Sequence, residues 1–210
     1  MSLELLGDTS PFSLSAFGNW AQIVSAIGTL LAVIVALFGS QLRRLLVRPR
    51  LDIRVDNPDG VVAEGEGGGQ DSSRWYHLRV SNPHRWSPIT SVRVFLLEVE
   101  WPEAGGGYRS AWKGAMPLQW RYAAAMEKSA DMGFARDCDL CVITSDKVLR
   151  LTLSFRGGIE DKYTTYSEPI RLRLTLQASG LEADSRRLKV QLDWNGQGPT
   201  ASRPVDLREI

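Results

Sequence analysis

Residues 19 to 50 read NWAQIVSAIGTLLAVIVALFGSQLRRLLVRPR, an apolar stretch that becomes basic at its C-terminal end. The 19 residues from Trp20 to Phe38 carry no charge, and ten of them are Ile, Leu, Val or Phe. A helix of that length extends about 28 Å, close to the ~30 Å thickness of a bilayer's hydrocarbon core. We therefore predict a transmembrane helix over residues 18 to 42.

Two other interpretations of this segment are a buried core helix and a cleaved signal peptide. A buried helix of a globular domain rarely needs so long a stretch without charge. A signal peptide begins with a basic region, whereas the head of this chain carries Glu4 and Asp8. We favour a helix that stays in the membrane.

Basic residues follow the apolar segment and none precedes it. No Lys or Arg occurs before Arg43, whereas Arg43, Arg44, Arg48 and Arg50 lie close together after the span. The positive-inside rule then predicts that residues 1–17 lie outside and the remainder in the cytoplasm. Residues 43–50 form a basic juxtamembrane linker, whose arginines set the topology and bind lipid headgroups.

Small and polar side chains recur along one face of the predicted helix. They are spaced by 4, 3, 4, 3 and 4 residues, which places them on a single seam: Gly18, Gln22, Ser25, Thr29, Ala32 and Ala36. Small residues let helices approach closely, and Gln, Ser and Thr can hydrogen-bond across the contact. Only one span is predicted in the chain, so the partner is a second copy or another protein.

If the stripe does not arise by chance, the seam is compatible with two hypotheses. In the first, it is a dimer or trimer contact that holds copies together. In the second, several copies surround an axis and the polar stripe lines a pore or gate. The segment contains no intramembrane charge, which is the feature that most often marks an ion pathway.

Beyond residue 50 the hydrophobic pattern alternates with a period of two. Seven segments show it: 51–55, 76–80, 92–99, 118–122, 149–155, 170–176 and 188–194. Alternation of this kind predicts antiparallel strands with one face in water. We predict an all-β domain over residues 51–194, an Ig-like antiparallel β-sandwich with a barrel as the alternative. We also expect a short helix at 123–132 and a flexible tail at 195–210.

Arginines occupy several of the outward positions of these predicted strands. If the strands are neighbours, one sheet presents an anion-binding surface that includes Arg79, Arg93, Arg150, Arg171 and Arg173. Arginine suits phosphate and carboxylate groups, so the expected ligand is a nucleotide, a nucleic acid or an acidic partner. The other interpretation is a face that is charged only for solubility or that lies on anionic lipid.

Motifs for catalysis or cofactors are weak in this sequence. Cys138 and Cys141 form a CxxC pair, but a zinc site needs further ligands and the chain has two histidines, His77 and His84. By alternation His77 should face solvent, and His84 lies in a turn. The glycine-rich loops lack the phosphate-binding GxxxxGK[ST] pattern. We expect no metal, no cofactor and no enzymatic activity.

The segments WAQIVSAIGTLLAVIVALF, RRLLVRPRLDI and YHLRVSN…VRVFLLEV together resemble small bacterial proteins with one membrane helix and a cytoplasmic Ig-like β-sandwich. In architecture the chain is also similar to membrane–β effectors of anti-phage defence systems. That resemblance implies an oligomeric effector whose β-domain senses a nucleotide, nucleic acid or protein partner and whose helices assemble to disrupt or gate the membrane. The alternative is a static anchor or adaptor that recruits a partner through the sandwich.

Overall fold

The computed structural model describes residues 14–46, 50–64, 72–84, 88–121, 130–132, 135–155, 157–181 and 183–210. It divides the chain into two compact units, Met1–Val47 and Arg48–Ile210. The first unit contains one apolar helix, and the second contains two antiparallel β-sheets. This confirms the predicted order of an N-terminal helix followed by an all-β, sandwich-like domain.

Helix α1 runs from Leu14 to Leu46 and is longer at both ends than the predicted span of 18–42. Its segment Gln22–Gly39 is long and apolar enough to cross a membrane, and it is the one candidate span among the described residues. None of that segment is buried by the rest of the chain. The helix therefore exposes apolar side chains that no contact within a single chain covers.

The first sheet contains seven strands. They are β1 (Asp52–Val55), β2 (Val61–Ala63), β3 (Ser73–Ser81), β6 (Gln119–Trp120), β8 (Arg136–Ile143), β9 (Leu149–Leu151) and β10 (Thr165–Tyr166). The order across the sheet is β1-β3-β8-β9-β10, with β2 paired to β3 and β6 paired to β8. Strands β1 and β2 both lie along the same partner, β3, at the sheet's edge.

The second sheet contains six strands. They are β4 (Ile89–Pro102), β5 (Tyr108–Pro117), β7 (Ala130–Met132), β11 (Ile170–Ser179), β12 (Asp184–Trp194) and β13 (Val205–Glu209). Their order is β13-β12-β11-β4-β5, and β7 pairs with β4. A 3₁₀ helix, Asp161–Tyr163, precedes β10.

The core is built from alternate residues of both sheets. In β11 the inward residues Leu172, Leu174 and Leu176 are buried, and in the first sheet Tyr76 and Leu78 are buried in the same way. The alternation that predicted these strands is therefore the pattern that places their apolar side chains inside.

Two expectations about the β-domain are wrong. The predicted flexible tail contains β13, which pairs with β12 from Val190↔Glu209 to Trp194↔Val205. Val205 and Leu207 are buried, because this strand extends the second sheet and adds to its core face. The predicted helix at 123–132 is wrong at its end, since Ala130–Met132 is strand β7; residues 123–129 lie outside the described part.

A tight turn directs β2 against β3. The side-chain amide of Asn57 donates to the carbonyl of Gly60 at 3.2 Å, and the amide of Asp59 donates to Asn57 Oδ1 at 3.0 Å. Gly60 has φ of 72°, and a Cβ placed there would lie 2.9 Å from a ring carbon of Tyr76. Glycine is required because both the backbone angle and the space exclude a side chain.

A β-bulge interrupts the pairing of β3 with β8. Tyr76 pairs with Cys141 and the next residue, His77, pairs with Asp139, so Leu140 is an extra residue in β8. A bulge of this kind changes which side chains share a face of the sheet. Here it places Asp139 directly opposite His77.

Candidate functional site

The six predicted seam residues all lie within α1. A helical repeat places them on one face, as their spacing predicted. The side chains of Gln22, Ser25, Thr29, Ala32 and Ala36 are exposed. The hydroxyl of Thr29 donates to the carbonyl of Ser25 at 2.9 Å, so that donor is already satisfied within its own helix. Whether a second helix contacts this face stays a prediction.

The juxtamembrane arginines fall partly inside the described chain. Arg43 and Arg44 belong to the last turn of α1, and Arg50 is exposed. Arg48 lies outside the described residues. Binding of lipid headgroups by these side chains stays a prediction.

The five arginines predicted to bind anions do not lie on one sheet, so the premise of a single arginine-rich surface is wrong. Arg79 in β3 and Arg150 in β9 belong to the first sheet. Arg93 in β4 and Arg171 and Arg173 in β11 belong to the second. Alternation showed that each side chain points away from the core, but it could not show which strands are neighbours.

Several of these arginines also have anionic or aromatic partners. Arg79 Nη1 lies 3.3 Å from Asp56 Oδ1, and Arg171 forms an ion pair with Asp193. The guanidinium of Arg173 lies 3.7 Å from the centre of the Tyr108 ring. The outer faces of the sheets therefore carry mixed charge, and anion binding by any of these residues stays a prediction.

The cysteines of the CxxC pair are both buried and free. The bulge at Leu140 explains this, because Cys138 pairs with Leu78 and Cys141 with Tyr76, and both partners face the core. Burial raises the pKa of both thiols, and for Cys138 the nearby Asp139 and Asp137 raise it further. Thiols with raised pKa are poor nucleophiles and poor metal ligands. Within the described residues no cluster of three His, Cys, Asp or Glu side chains is present.

His77 does not face solvent, which corrects the prediction from alternation. Its side chain is 3% exposed, and its Nδ1 lies 2.9 Å from Oδ1 of Asp139, which is itself 7% exposed as a residue. The prediction failed because it assumed that the outer face of this sheet is wet. The bulge supplies a carboxylate partner, and with that partner a histidine can be buried.

The second ring nitrogen of His77 is unsatisfied. Its Nε2 is buried and has no hydrogen-bond partner in the part of the chain that the structure describes. It is one of ten buried side-chain nitrogen or oxygen atoms that have no partner among the described residues, and of these ten it is the one whose residue lines the adjoining pocket. An unpaired buried polar atom costs about 1–3 kcal/mol.

A pocket of about 280 Å³ adjoins the His77–Asp139 pair. Three apolar side chains, Val61 and Ala63 of β2 and Trp75 of β3, line it together with His77, Asp139 and Arg121. Val61 and Ala63 are exposed, whereas His77 and Asp139 are buried, so the pocket leads from the surface to the pair. We call these six residues the β2–β3 pocket.

A second, larger cleft of about 490 Å³ lies where β11 and β13 begin and β12 ends. Its charged side chains pair with one another: Arg171 with Asp193, and Arg203 with Asp206 at 2.9 Å. Arg208 also contacts Asp206, and its guanidinium is the main cause of the lowered pKa of that carboxyl. This cleft has its charges neutralised internally, in contrast to the unpaired nitrogen of the β2–β3 pocket.

The sequence contained little that would reveal the β2–β3 pocket. Asp139 lies between the two cysteines of the CxxC pair, and nothing in the sequence marks it as the partner of a histidine 62 residues earlier. Strand β2 is three residues long and has no measurable alternation. The signal that existed was His77 between the apolar residues Tyr76 and Leu78.

Comparisons with known proteins give little further information. No protein-family model matches the chain, and no curated protein matches it. The chain is similar to the solution structure of a putative late embryogenesis abundant (LEA) protein, with 12% identity and a TM-score of 0.23. That match covers 90% of this chain and 85% of the other.

Proposed function

We propose that the chain is a membrane-anchored binding protein, in which α1 spans a bilayer and the β-domain recognises a ligand through the β2–β3 pocket. The observation that carries the anchoring is that no residue of the apolar segment Gln22–Gly39 is buried, whereas the β-domain has its own core. Exposed apolar surface of this extent is unfavourable in water and favourable in lipid.

Extraction of membranes with alkaline carbonate tests the anchoring. We expect the full-length chain to stay in the membrane pellet, because the helix is embedded and uncleaved. A chain that appears intact in the supernatant contradicts the span. A shortened chain whose N-terminus lies beyond residue 38 identifies a signal peptide instead.

Cysteine labelling tests the orientation. Cys138 and Cys141 are buried, so a cysteine introduced at the exposed position Ser202 is the accessible thiol of the β-domain. In intact bacterial cells we expect an impermeant maleimide to label Ser202→Cys only after the membrane is permeabilised. Labelling in intact cells places the β-domain outside and contradicts the orientation inferred from the arginines.

A second candidate function is an oligomeric effector that disrupts or gates the membrane when its β-domain binds a ligand. The exposed seam with its polar members Gln22, Ser25 and Thr29 favours it. A ligand drives such a change only if it binds one assembly state more tightly than another. Liposomes containing the protein should then release a trapped dye in the presence of the ligand, whereas a static anchor leaves them tight.

A further inference from the structure

His77 lines the β2–β3 pocket, and its buried Nε2 is the polar atom there without a hydrogen-bond partner among the described residues. The contact of 2.9 Å joins Nδ1 of His77 to Oδ1 of Asp139. An ionised carboxylate only accepts hydrogen bonds, so Nδ1 is the donor in this contact. With a neutral imidazole the remaining nitrogen, Nε2, is then an acceptor and needs a donor from the ligand, whereas an imidazolium would donate from Nε2 and need an acceptor such as a carboxylate. We assume the neutral form, and benzoate as a probe tests the other.

The charged neighbours of His77 oppose a charged ligand. A carboxylate bound at Nε2 would place a second anion near Asp139, and like charges at short range disfavour each other. An ammonium group would meet the guanidinium of Arg121, which also lines the pocket. Arg121 and Asp137 already form an ion pair at 3.6 Å. Each of these two charges would attract the ligand that the other repels, so repulsion alone does not decide the ligand's charge. Both already have partners, Asp139 with His77 and Arg121 with Asp137, and this pairing is the ground for expecting a neutral donor.

The other pocket-lining residues determine the size and polarity of the rest of the ligand. Val61, Ala63 and Trp75 offer apolar surface, and the indole of Trp75 can pack against a flat ring. The volume of about 280 Å³ is near the lower end for small-molecule pockets. A compact molecule with a few polar atoms fits this space, whereas an oligonucleotide or a folded partner does not.

We propose that the β2–β3 pocket binds a small, uncharged, mainly apolar molecule, such as a phenol or an indole, whose single hydroxyl or N–H group donates to Nε2 of His77. This inference rests on the proposed function, because it names the ligand class of the same pocket. It also assigns His77 as the residue that selects for a donor.

A matched pair of probes tests the selection. Indole has an N–H donor, and 1-methylindole has nearly the same shape without it. The full-length chain, labelled with ¹⁵N at histidine and reconstituted in lipid nanodiscs, is titrated with each probe and with benzoate. The chain has two histidines, so His84 serves as the internal reference. We expect indole to shift the Nε2 resonance of His77 alone and to bind at least tenfold more tightly than 1-methylindole or benzoate.

Variants separate the role of Nε2 from the integrity of the fold. His77→Asn keeps an amide that can donate to Asp139 but has no atom at the Nε2 position, and it should remove the preference for indole over 1-methylindole. His84→Asn is its control.

Ala63→Leu fills the pocket without changing the polar pair and should weaken the binding of both probes at least tenfold. Val62→Leu, on the same strand but outside the pocket lining, should leave both affinities unchanged.

Three results overturn the inference: equal affinity for the two indoles, preferred binding of benzoate, or no shift at His77 with any probe. The last result would mean that water alone satisfies Nε2. Each is distinguishable from failure of the proposed anchoring, because membrane extraction is measured separately and does not depend on the pocket.

Discussion

His77 and Asp139 show how one residue's environment is set by its neighbour across the sheet. Each of these side chains alone would be costly to bury, and together they satisfy one nitrogen and one oxygen at 2.9 Å. The pair exists because Leu140 is an extra residue in β8, which brings position 139 opposite position 77. The stability of this region should therefore depend on both members.

We predict that Asp139→Asn destabilises the β-domain by about 1–3 kcal/mol, because the amide cannot accept from Nδ1 as strongly and leaves buried polar atoms unsatisfied. Asp137→Asn is the matched control. Asp137 is partly exposed and lies 3.6–4.0 Å from its arginine partners, so its loss should cost less than about 1 kcal/mol. Denaturant unfolding of the full-length chain in mild detergent measures both. If the two variants lose the same free energy of unfolding, the buried His77–Asp139 pair stabilises the domain no more than a surface ion pair does.

Glu98 gives a prediction about pH. Its hydrogen bond with Ser110, followed by its contact with Lys113 at 3.2 Å, holds the pKa of this carboxyl below its ordinary value of 4.5. A lowered pKa in the folded state stabilises the protein above pH 4.5, and the contribution is lost as the pH falls through the folded value. Glu98→Gln should therefore lower the unfolding free energy by up to about 1 kcal/mol at neutral pH and by nothing in strong acid. Thermal melts from pH 7 to pH 3 measure the difference, and a constant offset across that range contradicts the linkage.

At the scale of elements, strand β13 is the strand that the local amino-acid composition does not predict. Val205 and Leu207 alternate as strand residues should, but they follow a segment rich in Gly, Pro, Ser and Asn. That composition indicates a loop, and the strand forms because β12 offers an unpaired edge to which it can bond. Tertiary pairing thus overrides the local signal.

Leu207→Ala should destabilise the β-domain by about 2–5 kcal/mol, since Leu207 is 4% exposed and its truncation leaves a cavity. Ile210→Ala is the matched control, because Ile210 is 57% exposed and its change should stay within about 0.5 kcal/mol. Unfolding by denaturant measures both. If the two variants are equally stable, β13 does not contribute to the core.

The seam of α1 gives the second prediction at this scale. Ala32→Leu enlarges a seam residue and should disperse oligomers by preventing close approach of the helices. Ala26→Leu makes the same chemical change off the seam and should leave the assembly intact. The mass of each variant in mild detergent measures the outcome. An unchanged mass for Ala32→Leu would show that helix contact does not use this face.

Much of the sheet structure could be predicted from alternation, and what could not has a physical reason. Segments such as 170–176 and 188–194 have one core face and one wet face, so their period of two is visible. Strand β8 was not recognised because six consecutive residues, Cys138 to Ile143, are all buried and show no alternation. Strand β5 was missed because it is an edge strand with little buried surface. The pocket depends on the β-bulge in β8 and on pairing between strands that are distant in the sequence. The hydrophobic pattern along the sequence predicts neither of these.

At the scale of the whole molecule, the chain consists of two compact units, one with an apolar helix and one with two β-sheets. The apolar helix has no cover within one chain, and the β-domain encloses its own core. The two units meet in the sequence between Val47 and Arg48. Each can therefore be tested for independence by cutting the chain between them.

Limited trypsin digestion should release a β-domain fragment that begins after one of the arginines at the end of the helix. Arg50 is exposed, whereas Leu51 is buried, so a cut after Arg50 lies at the boundary of the folded unit. We expect the fragment to keep a cooperative thermal transition. Rapid digestion to small peptides would show instead that the β-domain needs the helix to fold.

The hydrogen bond between the backbone amide of Val55 and Glu209 Oε1, at 2.6 Å, has a consequence for biosynthesis. It joins the first strand of the β-domain to the last, so the domain cannot be completed until residues near 209 have been synthesised. At about 5–20 residues per second, the ribosome needs on the order of 10–30 s to make the β-domain after the helix. Throughout that interval the apolar helix has been made and the sandwich has not, so under the proposed anchoring the helix is available for membrane targeting before the β-domain folds.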